Sequence, residues 1–346
     1  MPSESASSES NASLGTRGRM HSLLGLQILA TGTAVPEQVV LNEDLVQLGC
    51  DADWIVQRTG IRQRRHAPRD VDTSTLAAQA ARACLAAANR PASDVDLIVV
   101  ATATPDTPIP STACHVQQRL QTAAAAMDVN AACSGFVYGL VTASQFVSTG
   151  ASRLALVIGA DLMSRTVNPR DPKTYPLFGD GAGAVLVAAG APDQGFLAYT
   201  LGADGNGAGL LCMQAGGTRE PIDAGNIASG RQFLHMDGRP VFKWAVRLVA
   251  DSIRDVIGEA RLTIHDIDVV LLHQANMRII DAALESLGVE PGRAVVNVDR
   301  LGNTSAASIP LALQEACDAG RVRRGSRVLM CGFGAGLTWG TAVFSW

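Results

Sequence analysis

The chain has 346 residues, 47% of them apolar but only 4% aromatic, and a formal charge of −4 at pH 7. That balance gives no global attraction for nucleic acid or an anionic membrane, and no run approaches the roughly 20 apolar residues of a membrane span. The seven cysteines (50, 84, 114, 133, 212, 317, 331) are odd in number and lack Cys-x-x-Cys spacing, which argues against an exported disulfide framework and for a reduced, cytoplasmic protein.

Residues 1–22 read as a disordered tail: they are rich in Ser, Glu and Asn and lack the apolar stretch of a signal peptide. No linker-like stretch follows, so two intimately packed halves are expected, 23–194 and 195–346. In chain order, Ser74 to Asn89 reads as an amphipathic helix and Asp96 to Thr102 as a buried strand. Asn130-Ala-Ala-Cys133-Ser-Gly-Phe136 then leads into an apolar run, Val137 to Val147, that reads as a buried helix, followed by a strand over Leu154 to Gly159. Gly179-Asp-Gly-Ala-Gly183 lacks the Lys-Ser/Thr of a phosphate loop and runs into an apolar strand, so it reads as close backbone packing. A helix over Val241 to Glu259 and strands over Asp268 to Leu272 and Arg327 to Met330 complete the pattern. Alternating strands and helices imply an α/β protein with parallel sheets covered by helices.

An internal repeat is visible. Asp94-Val-Asp-Leu-Ile-Val-Val is echoed by Asp266-Ile-Asp-Val-Val-Leu-Leu. The cysteine helix with its following strand is echoed by Asn303 to Ala319 with Arg327-Val-Leu-Met-Cys-Gly332. Each half also carries a Gly-Ala-Gly, at 181–183 and 334–336. A period near 170 residues is too long for a solenoid and means two duplicated α/β halves.

Cys133 stands where free helix N–H groups and the helix dipole favour thiolate, although a cysteine by itself is also compatible with a buried structural role. His273 ends a strand, and a lone histidine there is equally compatible with a structural role. Trp54 and Arg58 lie at i and i+4, so a helix would present an aromatic plate beside a guanidinium on one face; a core Trp with a solvated Arg is the plainer alternative.

Three segments, around Cys133, His273-Gln-Ala-Asn276 and Gly302-Asn303-Thr-Ser305, together resemble the thiolase superfamily, and within it the ketoacyl-acyl-carrier-protein synthase III family. The resemblance runs from about Gly25 to Trp346 and includes Trp54 to Ile61, Phe178 to Gly183 and Cys331-Gly-Phe-Gly-Ala-Gly336. It implies a thiolase fold, a duplicated five-layered αβαβα sandwich with the halves meeting at the active site, and a homodimer. It also implies acylation of Cys133 by acyl-CoA, then decarboxylative condensation with a malonyl acyl carrier protein. Acyl-CoA is substrate, and no separate cofactor or metal is required. The oxyanion hole falls on the backbone of Cys133 and Ala335. His273 and Asn303 become N–H donors to the malonyl enolate. Trp54, Arg58 and Asn276 become CoA contacts, Ile109, Leu210 and Phe333 acyl-pocket residues, and Lys243 and Arg278 a docking face for the carrier protein.

The chain departs from the family pattern in several places. The arginine that closes over the adenine aligns with Pro172, leaving Arg170 or Lys173 as replacements. Two docking lysines become Glu285 and Ser286, so an acidic partner meets fewer attractive charges. Ala335 replaces a glycine, harmlessly if its φ is negative. Ile109 replaces what is often an aromatic and leaves room for a longer or branched acyl chain. Two further readings stay open: the same fold and nucleophile serving a CoA-linked or small-molecule acceptor in specialised metabolism, and a silent subunit supporting a condensing partner.

Overall fold

The helix that begins two residues past Cys133, Gly135–Ser148, contains no charged residue, and a helix apolar on every side has to be enclosed. In the computed structural model, which describes residues 18–346, it lies between two five-stranded sheets. The first half contains β1 (His21–Leu24), β2 (Leu26–Ala34), β3 (Val39–Leu41), α1 (Ala52–Thr59), β4 (Gln63–Arg65), α2 (Thr73–Ala87), β5 (Leu97–Ala101), α3 (Thr112–Leu120), β6 (Ala125–Val129), α4 (Gly135–Ser148), β7 (Leu154–Leu162) and β8 (Asp180–Ala189). The second contains β9 (Gly195–Ala203), β10 (Leu211–Met213), α5 (Ala224–Ala228), β11 (Leu234–Met236), α6 (Gly238–Glu259), β12 (Val269–Leu272), α7 (Met277–Leu287), α8 (Val298–Leu301), α9 (Ser308–Asp318), β13 (Arg327–Gly334) and β14 (Thr338–Ser345).

The sheets have the orders β2-β8-β7-β5-β6 and β1-β9-β14-β13-β12. Helices α2 and α3 cover one outer face and α6 and α7 the other, while α4 and α9 fill the space between, giving the five layers αβαβα. Phe136, Leu140, Ile309 and Leu313 of the two central helices share one apolar core with Val157 and Val185 of the first sheet and Val328 and Phe344 of the second. Small side chains permit the close approach of layers: a Cβ on Gly179 would lie 2.1 Å from the Leu301 carbonyl oxygen and one on Gly183 2.7 Å from Pro310 Cβ. The Gly179–Gly183 stretch is thus a packing surface that opens β8.

Three expectations are corrected. The sheets are mixed: β5 runs parallel to β6 and β7, and β12 to β13, but β8 is antiparallel to both its neighbours, as is β14. A parallel return needs a crossover element, and neither the 163–179 connection nor the 335–337 turn supplies a helix that crosses the sheet. Order begins inside the expected 1–22 tail, because β1 starts at His21; residues 1–17 lie outside those described. And although β1 opens the first half in sequence, it pairs antiparallel with β9 of the second sheet, so the two halves of the sequence do not divide cleanly in the fold. It occupies the edge opposite β12, while the second-half counterpart of β6 is reduced to one parallel bridge, Val270 with Ala294. Among the described residues no helix is long and apolar enough to cross a membrane.

Candidate active site

Cys133 lies in a single 3-10 turn, Ala132–Ser134, that runs directly into α4. Ala132 takes a left-handed φ of +46°, and its N–H donates to Asn130 Oδ1 at 3.2 Å, so the chain reverses tightly just before the nucleophile position. The turn is stitched to the second half. Ser134 Oγ donates to the Ala131 carbonyl at 2.7 Å and contacts Thr338 Oγ1 at 2.8 Å, and Thr338 Oγ1 lies 2.8 Å from the Ala335 carbonyl. Ala335 is therefore held beside the cysteine turn. Its φ is not left-handed, so alanine is accommodated there, and its N–H makes no hydrogen bond within the described residues.

Burial pushes the Cys133 thiol up to about 12, and the buried Asp161 carboxyl adds to the rise; a hydrogen bond from Ser305 and the cysteine's own N–H act in the opposite direction. Burial therefore works against the thiolate that the helix terminus favours, because removing the anion from water disfavours the charged form.

His273 follows β12, its N–H donating to the Cys331 carbonyl at 2.8 Å. Its ring meets Phe333 edge-on with centroids 5.2 Å apart, and burial pushes its imidazole down to about 3, so the ring is neutral. Nδ1 lies 2.7 Å from Ser308 Oγ. Asn303 is clamped by the first half: its N–H donates to the Leu177 carbonyl at 2.9 Å and its carbonyl accepts from Gly179 N at 3.0 Å. Its Oδ1 accepts the Ser305 N–H at 2.9 Å, which fixes the amide orientation and leaves Nδ2 the other way. Neither His273 Nε2 nor Asn303 Nδ2 has a partner among the described residues, and neither is sealed from solvent. They are the two side-chain atoms of His273 and Asn303 left for a reactant.

Ser305 connects all three positions. Its side chain offsets part of the rise at the Cys133 thiol, its N–H orients Asn303, and its carbonyl meets Ser308, which holds His273. Its φ of +50° lets one residue do this, and Asp161 braces the turn. The fully buried Asp161 carboxylate accepts from Ala306 N at 3.0 Å on one oxygen and from Thr102 Oγ1, Ala103 N and Thr104 N at 2.8–3.1 Å on the other, joining the halves behind the site. Ser305 was visible only as part of a motif. Asp161 carried no signal because its importance lies in what it touches across the two halves; Gly334 showed only as part of the Gly-Ala-Gly repeat, and Ser308 carried none because its contact with His273 is 35 positions away.

The remaining positions form separate groups. Trp54 and Arg58 share α1, with the guanidinium 5.7 Å from the indole centroid and Trp54 44% exposed. Asn276 joins them: it caps α7 through Arg278 N and donates from Nδ2 to the Arg58 carbonyl at 3.1 Å. Pro172 lies near this helix, its carbonyl 3.7 Å from the thiol of Cys50, just ahead of the α1 cap Asp51; Arg170 and Lys173 beside it are exposed. Phe333 packs between His273 and Trp244, while Leu210 sits half-buried ahead of β10. Ile109 stands apart in the α3 approach loop, 88% exposed. Lys243 is exposed on α6, and Arg278 on α7 lies 5.5 Å over the Phe242 ring. Beside the substituted Ser286, Arg254 donates to Ser286 Oγ at 2.7 Å, a cation that sequence alignment of α7 could not supply.

A cysteine on the turn that opens a central buried helix, with an imidazole and an amide supplied by the duplicated half in a five-layer sandwich, defines the class as a thiolase-fold condensing enzyme. Family signatures match at both ends of the site: 3-Oxoacyl-[acyl-carrier-protein (ACP)] synthase III over residues 127–205 and its C-terminal region over 257–346. The chain is 54% identical over 345 residues to the beta-ketoacyl-[acyl-carrier-protein] synthase III of Rhodopirellula baltica, covering 94% of this chain and 100% of the relative. Identity to the protein of the same description from Desulfitobacterium hafniense is 46%, covering 94% and 98%. The crystal structure of 3-oxoacyl-[acyl-carrier-protein] synthase III from Aquifex aeolicus superposes with a TM-score of 0.85 at 40% identity, covering 93% and 100%, and that from Thermus thermophilus with 0.85 at 45%, covering 92% and 98%. The chain belongs to the beta-ketoacyl-[acyl-carrier-protein] synthase III family, and is an acyltransferase that works by cysteine acylation followed by Claisen condensation.

Proposed function

We propose that Cys133 is the nucleophile, that acyl-CoA loads it, and that His273 Nε2 and Asn303 Nδ2 hold the thioester oxygen of the malonyl carrier protein as CO₂ departs. The observation that carries this assignment is the pair of partner-free polar atoms, His273 Nε2 and Asn303 Nδ2, whose side chains are held by the linked Ser305 and Ser308 beside the cysteine turn. Because the thiol rests protonated, charge has to be stabilised as it forms, and the N–H groups of Cys133 and Ala335 are the candidates for the acylation oxyanion. The enolate then attacks the acyl-cysteine and a 3-oxoacyl carrier protein is released.

Trp54, Arg58 and Asn276 are proposed to receive the CoA nucleotide, with Arg170 or Lys173 in place of the arginine missing at Pro172. Leu210 and Phe333 would line the acyl pocket, and Ile109, too apolar for its exposure, would enter the pocket of a second copy in a homodimer. Lys243 and Arg278 would meet the carrier protein. Mass spectrometry of the enzyme after exposure to a panel of acyl-CoAs, followed by malonyl carrier protein or malonyl-CoA, tests the reading. The expected result is one acyl mass on the Cys133 peptide, discharged by the malonyl carrier protein; loading on another residue, or discharge by malonyl-CoA alone, would overturn it.

A further inference from the structure

Ser308 is completely buried at the start of α9, and its hydroxyl faces three polar atoms: His273 Nδ1 at 2.7 Å, the Ser305 carbonyl oxygen at 2.9 Å and Gln274 N at 3.4 Å. A hydroxyl has one hydrogen, so it donates either to the ring nitrogen or to the carbonyl. The choice decides which edge of His273 carries the ring proton.

We propose that Ser308 is a positioning residue that donates its hydroxyl hydrogen to His273 Nδ1, so that the ring proton is held on Nε2 and aimed at the reactant as a hydrogen-bond donor. This rests on the reading of His273 as an enolate-stabilising group and supplies what that reading needs, a fixed tautomer. Three observations favour it. The 2.7 Å separation suits an O–H donor, whereas bonds donated by N–H cluster nearer 2.9–3.0 Å. The Ser305 carbonyl already accepts the backbone N–H of Ser308, so it does not depend on the hydroxyl. An unprotonated Nδ1, by contrast, has no other donor within the described residues. The ring is neutral because it is buried, so one nitrogen only is protonated, and Nε2 is the one with neither a partner nor a seal against solvent.

No covalent step is added: Ser308 moves no proton in the reaction and touches no substrate atom. Its effect is to keep the bare, accepting form of Nε2 from facing an enolate oxygen, where two lone-pair-bearing atoms would repel.

The test is ¹⁵N NMR of histidine-labelled wild-type enzyme at pH 7, with His273 assigned by loss of its signal in His273→Gln. The expected spectrum has an unprotonated Nδ1 that couples to the Ser308 hydroxyl and a protonated Nε2; a protonated Nδ1 in the folded enzyme would overturn the proposal without reference to any substrate. In parallel, Ser308→Ala should slow malonyl decarboxylation on the order of tenfold or more, short of the roughly hundred- to thousandfold cost of losing an oxyanion donor outright, and leave single-turnover acyl loading of Cys133 unchanged. Ser308→Thr, which keeps the hydroxyl, should restore most of the decarboxylation. Equal loss of loading and decarboxylation in Ser308→Ala, or no rescue by a folded Ser308→Thr, would overturn the role. Failure of wild-type enzyme to load any acyl group would instead count against the nucleophile assignment and leave the tautomer measurement standing.

Discussion

Gly334 lies so close to Cys133 that a Cβ built on it would be 2.9 Å from the cysteine Cβ and 3.1 Å from both its nitrogen and its sulphur. A bare backbone at the end of β13 is what allows the second sheet to reach the turn that carries the thiol. Gly334→Ala is expected to displace that turn, at a cost of about 1–3 kcal/mol in stability, and to slow acyl loading more than the stability loss alone explains. Urea denaturation alongside single-turnover loading separates the two; wild-type loading in the variant would show that the contact does not position the sulphur.

The protonated resting state of Cys133 predicts an unusual pH response. With its thiol pushed up to about 12, the thiolate fraction rises about tenfold for each pH unit and shows no plateau around pH 8–9, where a free cysteine levels off. Alkylation of Cys133 by iodoacetamide, followed by peptide mass spectrometry from pH 6 to pH 10, should climb throughout. A Cys133 profile that saturates below pH 8 would show that the helix terminus outweighs burial after all.

His273→Ala and Asn303→Ala are expected to lose decarboxylation and condensation by roughly hundred- to thousandfold each and to load acyl groups at close to the wild-type rate. The open atoms of these side chains are fixed by Ser308 and Ser305 rather than by the cysteine. Rapid-quench loading compared with steady-state turnover checks it; parallel loss of both in a folded variant would make His273 the base for Cys133.

On the face formed by α6 and α7, Lys243 and Arg278 are joined by Arg254, while Glu285 opposes them. Glu285→Lys should tighten carrier-protein binding by about 0.5–1 kcal/mol and steepen its salt dependence, and Arg278→Glu should weaken it, with loading of Cys133 by acyl-CoA unchanged. Calorimetric titration at two ionic strengths is the measurement. Indifference of binding to both changes would move the docking site elsewhere.

Much of this was legible in the chain. The uncharged run after Cys133 could only be an enclosed helix, the period near 170 residues required two like halves, and the i, i+4 spacing of Trp54 and Arg58 placed them on one helical face. These follow from periodicity and polarity, which are local. Strand direction was not legible, because β8 and β14 return without a crossover helix, and the length of a connection does not by itself reveal its path. Nor was the charge state of Cys133, which depends on how completely other layers close over it. The amino-acid sequence determined which chemical groups were available and in what order. Only the tertiary structure decided that Asp161 and Gly334 bind the halves together at the site, and that Ser308 meets His273 across 35 positions, because such hydrogen bonds and close contacts exist only once the chain is packed.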